Sequence, residues 1–338
     1  MRFIDFRSDT ITQPTEEMRL AMYNAVVGDD VYDEDETVKK LETMAAEMVN
    51  KEAALFVPSG TMGNQLAVMT HTKRGDEVIA GDSSHVVIYE VGAAAVLSGV
   101  TMRTAKSVNG AVSPGDVKRL VRGINIHYPD TGLICVENAT SSGTLMPLED
   151  MADIYSFARQ KGIPVHLDGA RLFNAALSLD VEASGIARYA DSVMFCLSKG
   201  LCAPVGSILA GNSDFIGKAR RNRKLLGGGM RQAGILAAAG IVALERMVGR
   251  LSEDHANARL LGEGLAGLPG ITVDVSNIHI NMVFADISQT GKDSGWLVGE
   301  LLKKGIKVND SAPLRFVTSH EVDRVDIELT LRTIKELI

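Results

Sequence analysis

Cysteine is scarce in this chain: Cys135, Cys196 and Cys202 are the only three among 338 residues, each in or beside an apolar run. Three is too few, and too odd a number, for a disulfide framework. Buried free thiols are the ordinary reading, and with them a reducing, cytoplasmic compartment is expected. Positive charge is in deficit, with 35 Lys and Arg against 42 Asp and Glu, a net charge of −7. An acidic chain without a basic stretch is a poor partner for nucleic acid or for anionic membrane. No apolar run reaches the ~18 residues of a spanning helix. The longest candidate, Gly234 to Leu244, is too short and begins beside Arg231. The N-terminal MRFIDFRSDT lacks the apolar core of a secretory signal. Low-complexity tracts, obvious repeats and Pro- or Ser-rich linkers are also missing. What remains is 46% apolar and 23% charged, which excludes a disordered chain and supplies one large or two ordinary domains with a sizeable core.

Strand-like and helix-like segments alternate. Ala53 to Val57, Glu77 to Ala80, Leu133 to Glu137, Ile163 to Asp168, Ser192 to Leu197 and Val205 to Ala210 read as short buried strands. Asn64 to Thr72 and Leu148 to Lys161 read as helices, the second opening on acidic residues. This alternation predicts an α/β fold with a mainly parallel sheet. After Gln232 the pattern predicts one long helix to about Arg250. Thr272 to Val275, Met282 to Ala285, a helix over Ser294 to Lys304, Lys307 to Val308, Leu314 to Val317 and a final helix from Glu321 then form a smaller α+β set. The predicted division is 1–245, an N-terminal arm with the large domain, and 246–338, a small C-terminal domain.

Three segments carry chemistry. Pro58-Ser59-Gly60-Thr61-Met62-Gly63-Asn64 joins a strand to a helix. It is either an ordinary turn or a cradle whose free N–H groups meet an anion such as phosphate. Lacking the Walker lysine and the full dinucleotide spacing, it is neither an ATP loop nor a nicotinamide-binding fingerprint. Asp168, in His166-Leu167-Asp168-Gly169-Ala170-Arg171, closes a buried strand where α/β proteins bind ligands. A buried carboxylate needs a cationic partner, either Arg171 or a protonated ring nitrogen of a cofactor. Lys199, in Ser198-Lys199-Gly200-Leu201, follows the next strand and is either a solvated lysine or a Schiff-base nucleophile. Cradle, Asp and Lys together meet the requirements of pyridoxal 5′-phosphate, and their order is that of the fold type I enzymes.

The sequence resembles low-specificity L-threonine aldolases over nearly its whole length. The resemblance is carried by Phe6-Arg7-Ser8-Asp9-Thr10, Val27 to Tyr32, Ser59-Gly60-Thr61, His166 to Arg171, Cys196 to Leu201, Gly227 to Gln232 and Leu314 to His320. It implies a fold type I large domain with a small α+β domain, and retro-aldol cleavage of L-threonine and L-allo-threonine to glycine and an aldehyde. The alternative is β-elimination on another amino acid by the same class of lyase. It implies that Lys199 carries the cofactor, Asp168 keeps the ring nitrogen protonated, and Ser59, Gly60 and Thr61 hold the phosphate. His85 stacks on the ring, and Ser8, Arg171 and Arg315 contact the substrate carboxylate or the cofactor's phenolic oxygen. His127 lies near the substrate hydroxyl, with His85 and His127 as candidate bases. Tyr32 and Glu90 line the site or are structural. Lys224 and Arg231 lie near the phosphate of a neighbouring subunit, in a homodimer or homotetramer with sites at the interface. Thr140 stands where many relatives have histidine, which bears on substrate preference. The acidic run Asp29 to Glu36 lacks the glycine of a calcium loop, and no metal is expected.

Overall fold

The computed structural model describes residues 2–338. Besides a short hairpin of Ser107–Val108 and Ala111–Val112, its strands are β1 (Ile4–Asp5), β2 (Ala53–Val57), β3 (Glu77–Gly81), β4 (Thr101–Ala105), β5 (Thr131–Glu137), β6 (Val165–Asp168), β7 (Ser192–Cys196), β8 (Ser207–Gly211), β9 (Met282–Ala285), β10 (Ile306–Lys307) and β11 (Leu314–Val317). Seven of them form one sheet in the order β2-β8-β7-β6-β5-β3-β4. β8 runs antiparallel to both neighbours, and the other pairs are parallel. Every residue of β3, β7 and β8 is buried, because helices cover both faces, and such strands read as unbroken apolar runs. The alternating elements read from the sequence are therefore present.

The helices named here are α1 (Glu16–Tyr23), α2 (Glu36–Met48), α3 (Gly60–His71), α4 (Leu148–Lys161), α5 (Leu172–Leu179), α6 (Ser213–Leu225), α7 (Gly234–Val242), α8 (Leu251–Ala266), α9 (Ser294–Lys303) and α10 (Arg324–Leu337). Their ends follow from local chemistry. Ser59 caps α3 by accepting the Met62 N–H at 3.2 Å, and Asp35 caps α2 by accepting that of Val38 at 3.1 Å. α4 stops at Gly162, whose φ of 68° costs glycine little.

The long helix expected from Gln232 to about Arg250 is present, and the helix that follows it, α8, is one the sequence reading did not include. α7 widens into a π-type turn at Ala243–Met247, breaks over 248–250, and resumes as α8. Gly249 in the break lowers helix propensity there. The strand expected at Thr272 to Val275 reduces to one bridge between Thr272 and Asp286.

The main core unites the sheet with α2, α4, α5 and α7 through Leu41, Phe56, Ile134, Ile154, Leu167, Leu172, Phe195 and Ala239. A second core gathers Phe6, Leu261, Val283, Leu301, Phe316 and Ile327. Within it β9 pairs with β11 antiparallel, and β1 pairs with β10 parallel. The first residues of the chain thus pack with the last third of it. Leu251 at the start of α8 belongs to the main core, whereas Ala258 and Leu261 further along belong to the second.

Candidate active site

Because β2, β3, β5, β6 and β7 point the same way, their carboxyl ends share one edge of the sheet. That edge carries Ser59 after β2, His85 after β3, Glu137 at the end of β5, Asp168 at the end of β6 and Lys199 after β7. A cavity of about 130 Å³ opens there, lined by Ser59, Gly60, Thr61, His85, Asp168 and Lys199 among others. A larger cavity of about 980 Å³ shares His85 and Lys199 with it and extends to Ser8, Arg171 and Arg315. Seven of the residues singled out from sequence therefore converge within one chain, with Ser59 and Thr61 making nine.

The phosphate end is built by α3. Ser59 spends its side chain on the Met62 N–H, so the N–H groups of Gly60 and Thr61 have no hydrogen-bond partner among the described residues. They point an unsatisfied donor pair and the positive end of the helix dipole at whatever anion binds. A Cβ on Gly60 would lie 3.0 Å from Cys196 Sγ, so glycine lets this turn sit against the cavity wall.

Asp168 is buried. Its Oδ2 accepts from Asn64 Nδ2 at 2.7 Å, and its Oδ1 accepts from the Ala170 N–H at 3.0 Å. Arg171, weighed from sequence as the partner of Asp168, is committed elsewhere. Its Nε and Nη2 donate to the two oxygens of Asp9, at 2.8 and 2.6 Å, in a buried pair. Asp168 is thus left with hydrogen-bond donors but no ion-pair partner among the described residues, and it faces the cavity. A protonated ring nitrogen meets that need, which is the fit expected of pyridoxal phosphate.

Lys199 is set by its own backbone: its carbonyl accepts from Thr12 Oγ1 at 2.8 Å and from the Cys202 N–H at 2.9 Å. His85 donates from Nδ1 to Glu90 Oε1 at 2.9 Å. That bond raises the His85 pKa, against burial, which lowers it. With Nδ1 protonated, the neutral ring keeps Nε2 as its basic nitrogen. Glu90, read from sequence as lining or structural, is 1% exposed and also accepts from Asn64 at 2.7 Å and Gln65 at 2.5 Å. His85, Glu90 and Asp168 offer atoms within 4.8 Å of one another, and their shared bonds to Asn64 and to each other account for that closeness without a metal. Glu137, beside Asp168 in register, is pushed up to about 7, first by burial and then by the Asp168 charge.

Arg315 is half-buried on β11. Its Nη2 donates to the Arg7 carbonyl at 3.0 Å, and it has no carboxylate partner among the described residues. Burial and the nearby Arg171 lower its pKa, the mark of a cation short of counter-charge.

Four residues named from sequence lie outside both cavities of the single chain, two of them, Lys224 and Arg231, expected at a neighbouring subunit's phosphate. His127 lies in an exposed loop between Ile124 and Tyr128, before β5 and so at the opposite end of that strand from Glu137. Tyr32, Lys224 and Arg231 line neither cavity. Arg231 instead pairs with Asp29 at 2.8 Å and lies over the exposed Tyr32 ring. Thr140 is buried and bonded to Thr144 at 2.7 Å, while its neighbours Ser141 and Ser142 line the larger cavity. Sequence reasoning overlooked Asn64, which appeared only as a helix start. An amide on a buried helix face is the signal that could have found it.

A family model described as beta-eliminating lyase matches residues 5–288. The chain belongs to this family. Within the family it is 44% identical to low-specificity L-threonine aldolase 1 of Arabidopsis thaliana, over 98% of this chain and 95% of that one. It superposes on the solved threonine aldolase of Leishmania major with a TM-score of 0.85 at 21% identity, covering 99% of each. A serine palmitoyltransferase of S. paucimobilis solved with bound PLP matches with a TM-score of 0.76 at 19% identity, over 99% of this chain and 86% of that one. The architecture is therefore that of the fold type I enzymes. Among the described residues no helix is long and apolar enough to cross a membrane.

Proposed function

We propose that this lyase cleaves L-threonine and L-allo-threonine, and other β-hydroxy-α-amino acids, reversibly to glycine and an aldehyde with pyridoxal 5′-phosphate. One observation carries the reading. Joined cavities present an amine (Lys199), a carboxylate without an ion-pair partner (Asp168) and an arginine without one (Arg315). When bound, the cofactor supplies an electrophilic carbon for the substrate nitrogen and a ring that accepts the electron pair of the broken bond.

The chain's own residues do the rest. Lys199 would hold the cofactor through its amine. Asp168 would keep a proton on the ring nitrogen, and Gly60 and Thr61 would hold the phosphate with Ser59. Arg315, with Ser8 and the Asp9-anchored Arg171, takes the substrate carboxylate, for which a planar guanidinium supplies two parallel donors. Fixing the carboxylate fixes rotation about the N–Cα bond, and so selects the bond to Cβ for cleavage. His85 Nε2 takes the proton of the β-hydroxyl as the Cα–Cβ bond breaks and the aldehyde leaves, and Cα then gains a proton that balances the one His85 took.

Active sites completed between subunits are part of this proposal. Leu20, Tyr23, Val26, Tyr32 and Leu225 are exposed apolar side chains, and exposed apolar surface of this kind marks interaction sites. A second copy would bring His127, Lys224 and Arg231 to its neighbour's cavity. Dimer or tetramer is the form expected in sedimentation.

The test is acetaldehyde release from L-threonine and L-allo-threonine, side by side, with saturating cofactor. Release from both supports the reading, and the ratio gives the preference at Cβ. No release from protein that binds the cofactor overturns it. The family's description favours a second reading, β-elimination, which would release ammonia and a keto acid instead.

A further inference from the structure

His166 opens a buried chain of hydrogen bonds behind Asp168. It is the second residue of β6 and is 1% exposed. Its Nε2 lies 3.1 Å from Asn64 Oδ1, and its Nδ1 lies 2.9 Å from Ser192 Oγ, which is in turn 2.8 Å from His71 Nε2. Asn64 Nδ2 faces two carboxylates, Asp168 and Glu90, each at 2.7 Å. The direction of the whole chain follows from that end. Two carboxylates demand the N–H₂ of Asn64, so its carbonyl is turned to His166 and needs a donor. His166 therefore carries its proton on Nε2. Burial lowers its pKa to about 3, so the ring is neutral and Nδ1 must accept from Ser192. Ser192 then accepts from His71, whose pKa burial lowers to about 4. Every donor points toward Asp168.

We propose that His166 is a positioning residue for the cofactor: its Nε2–H locks the Asn64 amide with N–H₂ toward Asp168, holding that carboxylate in the place and charge state a protonated ring nitrogen requires. An amide in the chain blocks proton relay, so the role is orientation and not conduction. Without the imidazole donor, the buried Asn64 carbonyl is left without a partner, the amide is no longer held from that side, and its hydrogen bond to Asp168 loses its fixed geometry.

The inference rests on the proposed role of Asp168, and its first test does not depend on it. In cofactor-free protein, ¹⁵N NMR of the imidazoles should show His166 protonated at Nε2 alone, with no titration between pH 5 and 8. A proton on Nδ1 overturns the proposal. The second test uses His166→Gln, whose amide nitrogen can stand in for Nε2, and His166→Leu, which offers no donor. Pyridoxal phosphate affinity, read by fluorescence quenching, should stay within about threefold of the original in His166→Gln. It should fall by about tenfold or more in His166→Leu, as loss of one buried hydrogen bond brings. Equal loss in both variants, or none in His166→Leu, overturns it. Should His166→Leu not fold, the tautomer and His166→Gln still decide. Correct tautomer and affinities in a protein that releases no acetaldehyde would sink the aldolase reading and leave this one standing.

Discussion

Asp9 and Arg171 meet in a two-point ion pair at 2.6 and 2.8 Å, with the Asp9 side chain fully buried and that of Arg171 10% exposed. The pair ties the N-terminal segment to the loop that follows Asp168. Burial works to raise the Asp9 pKa, but Arg171, Lys199 and Asn281 outweigh it and hold the carboxylate below its usual range.

Asp9→Asn should therefore leave a buried guanidinium without its counter-charge. Removing one partner of such a pair costs about 3–5 kcal/mol. Urea denaturation of the two proteins at pH 7 measures it. A difference below about 1 kcal/mol would mean that solvent reaches Arg171.

Lys199→Ala should abolish acetaldehyde release and the cofactor absorbance that survives gel filtration. The fold should persist, because Thr12 and Cys202 bind the backbone carbonyl of residue 199 and not its side chain. Near-normal turnover would refute the assignment of the nucleophile.

Arg315→Met should reduce kcat/KM for threonine by about 10- to 100-fold, the value of a charge-assisted hydrogen bond of about 1.5–3 kcal/mol. Glycine, the product, shares the carboxylate and should bind more weakly by a similar factor. An amino-acid amide, lacking the carboxylate, should be little affected. Equal losses on acid and amide would assign Arg315 a structural role.

Glu90→Gln replaces the carboxylate that raises His85 with a neutral, weaker acceptor. The acid limb of the kcat/KM profile should move to lower pH, and kcat should fall by about 100-fold if His85 is the base. An unmoved limb would pass that role to another group.

His255 supplies a pH test of stability. It is half-buried beside Asn174, and desolvation lowers its pKa to about 4. The unfolded chain takes up a proton near pH 6.5 and the folded chain does not. The stability His255 contributes is full above pH 6.5 and is lost as pH falls toward 4. The gap between the original protein and His255→Gln should therefore shrink by about 2 kcal/mol between pH 7 and pH 5. A pH-independent gap would show that His255 protonates in the folded state.

The sheet was legible because its strands are buried on both faces and so appear as apolar runs. Leu314–Val317 and Leu148–Lys161 have the ends read from sequence. Asp168 and Lys199 stood out because each follows such a run. Asn64 did not, and Glu90 was named only through the family resemblance, since a buried amide and a buried carboxyl 26 residues apart share no period and no spacing rule. α8 was not read because its sequence mixes charged residues and two glycines with its apolar face. His127 could not be placed beside Lys199 from one chain, as its loop precedes β5 and Glu137 follows it.

The two cavities that meet at His85 and Lys199 have different walls. The small one is lined largely by residues at strand ends and the start of α3, with Met194 and Cys196 beneath it in an apolar cluster of their own. The large one is lined mostly by loop residues, including Ser141, Ser142, Asn309 and Ser311. For enzyme engineering this is a division of labour. Libraries at Ser142, Asn309 and Ser311 reshape the wall of the large cavity without touching the small one, whereas Ser141 donates to Glu137, which also holds the His85 N–H. The same plan applied at Met194 or Cys196, beneath Gly60 and Gly63, would damage the small cavity before it altered selectivity.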